Sequence, residues 1–89
     1  MKKTFKITVL EGLHARPTTL LVTTVNSFES EVSITYDGKT ANLKSIMGVM
    51  SLAISAGAVI EISAIGSDAK ELIEKITEVI ISQGIGEEC

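Results

Sequence analysis

Apolar and polar side chains alternate along three segments of the chain. Residues 4–10, 31–36 and 58–65 each place an apolar residue at every second position, which is typical of a strand with one buried face. Asp37-Gly38 follows the second segment and is a strong hairpin signal, so residues 39–42 are predicted to return as a short strand. The pattern thus predicts four strands, two of them joined in a hairpin.

Three other segments repeat their apolar residues at helical spacing. The first begins at Pro17, and the second covers residues 45–54 and starts with a serine N-cap. The third follows Asp68, which forms an acidic variant of a capping box with Glu71, and stops at Gly84. The order β-α-β-β-α-β-α predicts an α+β fold with the helices packed on one side of a sheet, whose polar face can meet water.

The end of the chain shows no periodic pattern. Gly84-Ile85-Gly86 is an isolated pair of glycines far from any nucleotide-binding unit, so we expect a frayed tail there. Cys89 is the only cysteine and is expected to be a solvated residue of this tail. A single cysteine excludes an intrachain disulfide and favours a cytoplasmic location.

Composition and charge narrow the class of protein. The chain has 89 residues, of which 45% are hydrophobic and 21% charged, as expected for a single globular domain over residues 1–89. No run approaches the roughly 20 apolar residues of a membrane span, and no signal peptide is recognisable. The net charge of −3 lacks the basic excess of proteins that bind nucleic acid. We therefore expect a cytoplasmic protein that binds neither nucleic acid nor a membrane.

The only histidine, His14, lies between the first predicted strand and the first predicted helix, in the segment GLHARP (residues 12–17). Gly12 permits a sharp turn before it. Pro17 suits the first turn of a helix, where a missing N–H removes no hydrogen bond. The segment therefore places a histidine at the start of a helix.

The start of that helix is predicted to bind an anion. The N–H groups of Ala15 and Arg16 would have no partner within the helix and could meet phosphate oxygens, which the guanidinium of Arg16 also matches. A neutral ring nitrogen of His14 is nucleophilic near pH 7, and phosphoryl transfer needs mainly positioning and charge stabilisation. The pattern predicts His14 as a phosphoryl acceptor assisted by Arg16.

Other roles for this histidine are weaker. It could be a surface residue that caps the helix, which is the common role of a histidine at such a place. A metal site would need further ligands, and the chain has no second histidine and no cysteine near the first. A Ser-His-Asp hydrolase would need a serine in a nucleophile elbow, and no such motif is present. No cofactor or metal is expected.

The second predicted helix has apolar residues on two sides. Val49 and Leu52 share one side, and Ile46, Met47 and Met50 lie roughly opposite. Because a short helix on a sheet buries one face, the second set is a candidate docking surface with adaptable methionine contacts. The alternative is that Ile46 or Met50 belongs to the core.

Ser45, at the start of the same helix, is well placed for phosphorylation. A phosphate there is favoured by the helix dipole, so the fold should survive while the charge of the neighbouring surface changes. Its spacing alone fits a plain N-cap serine better.

These segments resemble HPr, the histidine-containing phosphocarrier protein of the bacterial sugar phosphotransferase system. The sharpest matches are residues 12–17 (GLHARP) and 42–52 (NLKSIMGVMSL), with Asp37-Gly38-Lys39 between them, and the resemblance covers roughly residues 4–86. It implies the HPr open-faced sandwich, a four-stranded antiparallel sheet with three helices on one face.

The resemblance also implies roles and partners. His14 would accept phosphate from enzyme I and donate it to enzyme IIA domains, with help from Arg16, so the chain would be a phosphoryl carrier rather than an enzyme. Ser45 would match the regulatory serine of Gram-positive HPr, phosphorylated by HPr kinase/phosphorylase, after which the protein acts with the catabolite control protein in carbon catabolite repression. The implied docking patch comprises Thr19, Ile46, Met47 and Met50.

Two features depart from the family pattern. Thr18 stands where alanine is usual, and is expected to add a hydroxyl near the active site. The first helix has no lysine after Arg16, and Asn26 and Ser27 stand where basic residues are common, so this helix should steer acidic partners weakly.

A regulatory function therefore remains an alternative hypothesis to the carrier function. A paralogue, the catabolite repression HPr, shares the Ser45 region but has glutamine in place of the histidine, and residues 53–55 (AIS) lean towards it. His14 is present here, which favours the carrier. A small ligand-binding α+β domain is a third possibility, supported only by fold class.

Overall fold

The computed structural model describes residues 1–89 and contains five strands and three helices. In chain order they are β1 (Lys2–Ile7), α1 (Ala15–Asn26), β2 (Glu31–Tyr36), β3 (Lys39–Asn42), α2 (Ile46–Met50), β4 (Val59–Ile65), α3 (Ala69–Ser82) and β5 (Gly86–Glu88). None of the helices is long and apolar enough to cross a membrane.

All strand pairings are antiparallel, and the order across the sheet is β3-β2-β4-β1-β5. The central register sets Phe5 opposite Ile60 and Ile34 opposite Ile62, so the apolar residues of three strands share one face. These residues and the apolar faces of the helices form one cluster of 21 buried residues. The α+β sandwich with helices on one face, predicted from the sequence, is confirmed.

The sheet has a fifth strand that the sequence analysis did not predict, and the frayed tail expected around Gly84-Ile85-Gly86 is wrong. β5 pairs with β1 and sets Gly86 opposite Ile7. The side chain of Ile85 joins the core at 3% exposure. A Cβ at Gly86 would overlap the carbonyl oxygen of Lys6, so glycine allows the two strands to approach. The segment is ordered by pairing with the other end of the chain, which local periodicity does not reveal.

Two helix boundaries differ from the predicted ones. α1 begins at Ala15 rather than at Pro17, so the proline is the third residue of the helix. α2 ends at Met50 rather than at Ile54, because Ala53 has a left-handed backbone conformation with φ of 52°. Ile54 is nevertheless buried, so the segment after the helix returns to the core without being helical.

Asp68 is at the N-terminus of α3 as predicted, but the expected capping box does not form. Its side chain makes no hydrogen bond to the first turn of the helix. The carboxylate instead accepts hydrogen bonds from the backbone N–H groups of Glu29 and Ser30. Asp68 therefore joins the start of α3 to the connection between α1 and β2.

Candidate functional site

The turn before α1 is fixed by backbone hydrogen bonds to two neighbours. The N–H of Gly12 donates to Val9 O at 2.9 Å, and the N–H of Leu13 donates to Ile54 O at 2.9 Å. Gly12 has φ of 71°, and a Cβ there would overlap the carbonyl oxygen of Ile54. Only glycine combines this conformation with so close an approach. The position of His14 is thus set by a turn pressed against the segment that follows α2.

A buried hydroxyl also stabilises this turn, from the side that faces the protein interior. Thr18 is fully buried, and its Oγ1 donates to the carbonyl oxygen of Leu13 at 3.0 Å. Its N–H donates to the carbonyl oxygen of His14 at 3.1 Å and closes the first turn of α1. The hydroxyl of Thr18 thus lies near His14, as expected, but it is buried and faces the backbone of the turn. The hydroxyl has a structural partner and stabilises the turn that carries His14.

His14 is the N-cap residue of α1, with φ of −77° and ψ of −170°. Its imidazole makes no capping hydrogen bond, and 42% of the side chain is exposed. The alternative in which the ring serves only as a helix cap does not describe this geometry. The ring is available to react with a group that approaches from solvent.

The first turn of α1 offers donors for an anion. The first hydrogen bond of the helix runs from Thr18 to His14, so the N–H groups of Ala15 and Arg16 have no partner in the protein. Pro17 has no N–H to offer. The Arg16 side chain is exposed and forms no ion pair, and no acidic residue lies in the first turn. The positive end of the helix dipole and two free N–H groups therefore follow the ring directly in the chain, and the free guanidinium of Arg16 is two residues away.

These residues line one shallow concavity together with the end of the chain. His14, Ala15, Arg16 and Thr19 lie on its α1 side. The opposite side includes residues that sequence reasoning missed, among them Gln83 and Ile85. They come from the connection between α3 and β5, so the segment that leads into the unexpected fifth strand forms part of the lining.

A carboxylate close to the histidine was also missed. Oε2 of Glu11 lies 3.8 Å from Nε2 of His14, and Glu11 belongs to the lining of the concavity. The signal was present in the sequence as an acidic residue three positions before the histidine, across a glycine turn. Glu11 is notable because a negative charge beside a site for an anion would repel that anion.

α2 separates its apolar residues into a buried side and an exposed side. Val49 and Leu52 are 1% and 9% exposed. Ile46, Met47 and Met50 are 40%, 81% and 39% exposed, so neither Ile46 nor Met50 is a core residue. α2 packs against α1, but none of these three residues lines the concavity around His14.

Ser45 is the N-cap of α2, and its Oγ accepts a hydrogen bond from the N–H of Gly48 at 3.0 Å. The residue is half-buried and lies next to the exposed residues of that helix. The structure therefore places Ser45 with the α2 surface, not within the concavity that holds His14.

Little charge surrounds this surface. α1 has no basic residue after Arg16, and the amide of Asn26 donates to the carbonyl oxygens of Val22 and Lys44. The ammonium of Lys44 donates to Phe28 O at 2.8 Å.

No group of three or more His, Cys, Asp or Glu side chains is arranged to hold a metal ion.

Comparison with known proteins identifies the family. Residues 1–82 match the PTS-HPr family, described as the PTS HPr component phosphorylation site. The histidine-containing phosphocarrier protein of a Mycoplasma is 40% identical, with 97% of this chain and 98% of that chain covered and a TM-score of 0.94. HPr-C-His of Thermoanaerobacter tengcongensis is 42% identical, with 93% of both chains covered and a TM-score of 0.89. The catabolite repression protein Crh of Bacillus subtilis is 40% identical, with 90% and 91% covered and a TM-score of 0.72. The chain therefore belongs to the PTS-HPr family of phosphocarrier proteins.

Proposed function

We propose that this chain carries phosphoryl groups in a bacterial sugar phosphotransferase system, with His14 as the acceptor. One observation carries the proposal: an uncommitted imidazole stands at the N-terminus of α1 beside the free N–H groups of Ala15 and Arg16. Enzyme I would be the donor, and enzyme IIA domains would be the acceptors. Residues 1–89 would act as one carrier domain.

The chemistry needs few groups from the carrier. A lone pair of the His14 ring attacks the phosphorus atom as the bond to the donor breaks, and the phosphoryl group moves to the ring nitrogen. The N–H groups of Ala15 and Arg16 would donate to its oxygens, and the guanidinium of Arg16 would offset their charge. In the second step an acceptor attacks phosphorus, and the ring nitrogen recovers its lone pair. The chain would be a substrate in both transfers, each catalysed by its partner, and would therefore act as a carrier rather than as an enzyme.

The partner surface would be the exposed side of α2 together with α1. Ile46, Met47 and Met50 supply apolar, adaptable contacts, and Thr19 extends them to the concavity around His14. A donor or acceptor that covered this surface would bring its own reacting group to the histidine.

Because the exposed Cys89 is free, a reducing compartment suits the protein, and we place it in the cytoplasm.

Ser45 would be a regulatory phosphorylation site. Its Oγ is an acceptor at the N-terminus of α2, a position where phosphate oxygens could accept the same N–H group. The added charge would lie beside Ile46 and Met47 and would weaken docking of enzyme I. HPr kinase/phosphorylase would catalyse this reaction, and the phosphorylated form would bind the catabolite control protein.

A second candidate function is mainly regulatory, in carbon catabolite repression. Two observations favour it: the near absence of basic residues on α1 and the similarity to the catabolite repression HPr of Bacillus subtilis. In this case Ser45 and the α2 surface would carry the function, and His14 would be kept without use in the relay.

A reconstituted relay separates the two functions. Enzyme I, phosphoenolpyruvate and an enzyme IIA domain are mixed with and without this chain, and phosphate on the IIA domain is followed with time. The carrier function predicts phosphorylated IIA only when the chain is present. If IIA stays unphosphorylated while HPr kinase and ATP modify Ser45 efficiently, the regulatory function replaces it.

A further inference from the structure

The carboxylate of Glu11 faces one particular nitrogen of the reactive ring. Oε2 of Glu11 lies 3.8 Å from Nε2 of His14, and both side chains are partly exposed, at 69% and 42%. The turn between them is pinned by the N–H groups of Gly12 and Leu13, which donate to the carbonyl oxygens of Val9 and Ile54. The two side chains can therefore change rotamer while their backbones stay in place.

Few other charges face this ring. Among the residues that line the concavity, Glu11 in the turn and Arg16 on α1 are the only charged ones besides the histidine itself. The connection between α3 and β5 contributes the neutral Gln83 and Ile85. By itself, an acidic residue beside an anion site would oppose phosphate binding. A cationic partner would offset this effect, and the ring of His14 can become that partner when it is protonated.

We propose that Glu11 is a positioning residue, whose carboxylate comes to accept the Nε2–H of His14 during the transfer cycle. The proposal rests on the carrier function given above. The hydrogen bond on one imidazole nitrogen decides which nitrogen keeps its lone pair, so Nδ1 becomes the phosphoryl acceptor. The separation of 3.8 Å is longer than a hydrogen bond, and we expect it to shorten when the ring becomes cationic, as such contacts often do on reaction.

The proton at Nε2 matters most when the phosphoryl group leaves. Attack by Nδ1 on phosphorus, with loss of the donor group, produces a phosphorylated imidazolium whose Nε2–H stays in place. When an acceptor then takes the phosphoryl group, the P–N bond breaks and its electron pair returns to Nδ1, leaving a neutral imidazole. Without the Nε2 proton, the leaving group would be an imidazolate anion. Glu11 favours the protonated ring because opposite charges within about 4–6 Å stabilise each other.

The influence of Glu11 should be visible in how the rate of phosphohistidine hydrolysis depends on pH. Hydrolysis of the isolated phosphoprotein should be fast while Nε2 is protonated and should slow as the pH rises through loss of that proton. Removing the carboxylate should move this inflection to lower pH, because the cationic ring loses its anionic neighbour. Because both groups are partly exposed the effect should be small, with discharge of the variant roughly threefold slower on the alkaline side.

The test compares four proteins: wild type, Glu11→Gln, Glu11→Asp and Glu74→Gln. Glu74 is an exposed carboxylate in the middle of α3, so its variant has the same change in net charge. Each protein is phosphorylated with enzyme I and phosphoenolpyruvate and then isolated. The ring C–H resonances are titrated by NMR, where the single histidine gives an unambiguous signal. Hydrolysis is measured over the same pH range.

We expect Glu11→Gln to lower the inflection in both measurements, Glu11→Asp to restore much of it, and Glu74→Gln to leave it unchanged. Coupling between ³¹P and ¹⁵N should place the phosphoryl group on Nδ1. An inflection that does not move in Glu11→Gln, or a phosphoryl group on Nε2, would overturn the role of Glu11 while leaving the carrier function intact. Failure of the wild type to accept phosphate would overturn the carrier function itself, and the role of Glu11 with it.

Discussion

The carboxylate of Asp68 accepts hydrogen bonds from both the backbone N–H and the hydroxyl of Ser30, which lies in the connection between α1 and β2. Ser30 is 2% exposed, so its hydroxyl has this carboxylate as its partner in place of water. These bonds, first from the Ser30 hydroxyl and then from the Glu29 N–H, hold the pKa of Asp68 below its ordinary value of 3.8. One carboxylate thereby ties two connections of the sandwich together.

Asp68 should make stability depend on pH in the acidic range. Because its pKa is lower in the folded protein, the unfolded chain binds the proton more tightly. The contribution is therefore complete above the ordinary pKa and is lost as the pH falls through the lowered one. Asp68→Asn should be less stable than wild type near neutral pH, and the difference should shrink as the pH is lowered below about 4. Urea unfolding across this range measures it; a difference that does not change with pH would contradict the assignment.

Gly12 should tolerate a side chain much less than Gly38 does. Both have left-handed backbone conformations, with φ of 71° and 77°, but a Cβ would meet the carbonyl oxygen of Ile54 only at Gly12. Gly38→Ala should lower the free energy of unfolding by about 1 kcal/mol, the cost of the backbone conformation. Gly12→Ala should lose about 2 kcal/mol more, because the turn must shift. Equal losses in denaturant unfolding would show that the turn is not pinned.

The N-cap of α2 allows stability and docking to be separated at Ser45. Ser45→Ala removes the acceptor of the Gly48 N–H and should lower the free energy of unfolding by about 1 kcal/mol. Ser45→Asp retains a good N-cap and should be close to wild type in stability. It should nevertheless accept phosphate from enzyme I about tenfold more slowly, because of the charge beside Met47. An unchanged rate in the aspartate variant would separate Ser45 from the docking surface.

The two sides of α2 should respond oppositely to truncation. Val49 is 1% exposed and Met47 is 81% exposed. Val49→Ala should lower the free energy of unfolding by about 2 kcal/mol through loss of core packing. Met47→Ala should change it by less than about 0.5 kcal/mol and should raise the KM for this chain as substrate of enzyme I several-fold. If Met47→Ala left that KM unchanged, the exposed side of α2 would not be the docking surface.

The elements that the sequence predicted are those with strong local patterns. β2 and β3 appear over residues 31–36 and 39–42 as expected, because alternation and the Asp37-Gly38 turn act over a few neighbouring residues. The division of α2 into Val49 on one side and Met47 on the other followed from helical spacing alone.

The features that the sequence missed depend on contacts between distant parts of the chain. β5 is ordered by pairing with β1, and three residues with two glutamates show no alternation. Asp68 has the residue type and place of an N-cap, but the N–H groups of a distant connection compete successfully for its carboxylate. Thr18 lies near His14 as expected, but its neighbours in sequence did not show that the first turn of α1 directs its hydroxyl to Leu13 inside the protein.

His14 as the phosphoryl acceptor is the central claim. Its most direct test is to incubate wild type and His14→Ala with enzyme I and phosphoenolpyruvate, and to measure intact mass before and after brief treatment with acid or with base. The account predicts one phosphoryl group on the wild type that acid removes and base does not, and none on a His14→Ala protein whose circular dichroism shows it to be folded. Phosphate of the same acid lability on the His14→Ala protein, or no phosphate on the wild type with a competent enzyme I, would contradict it.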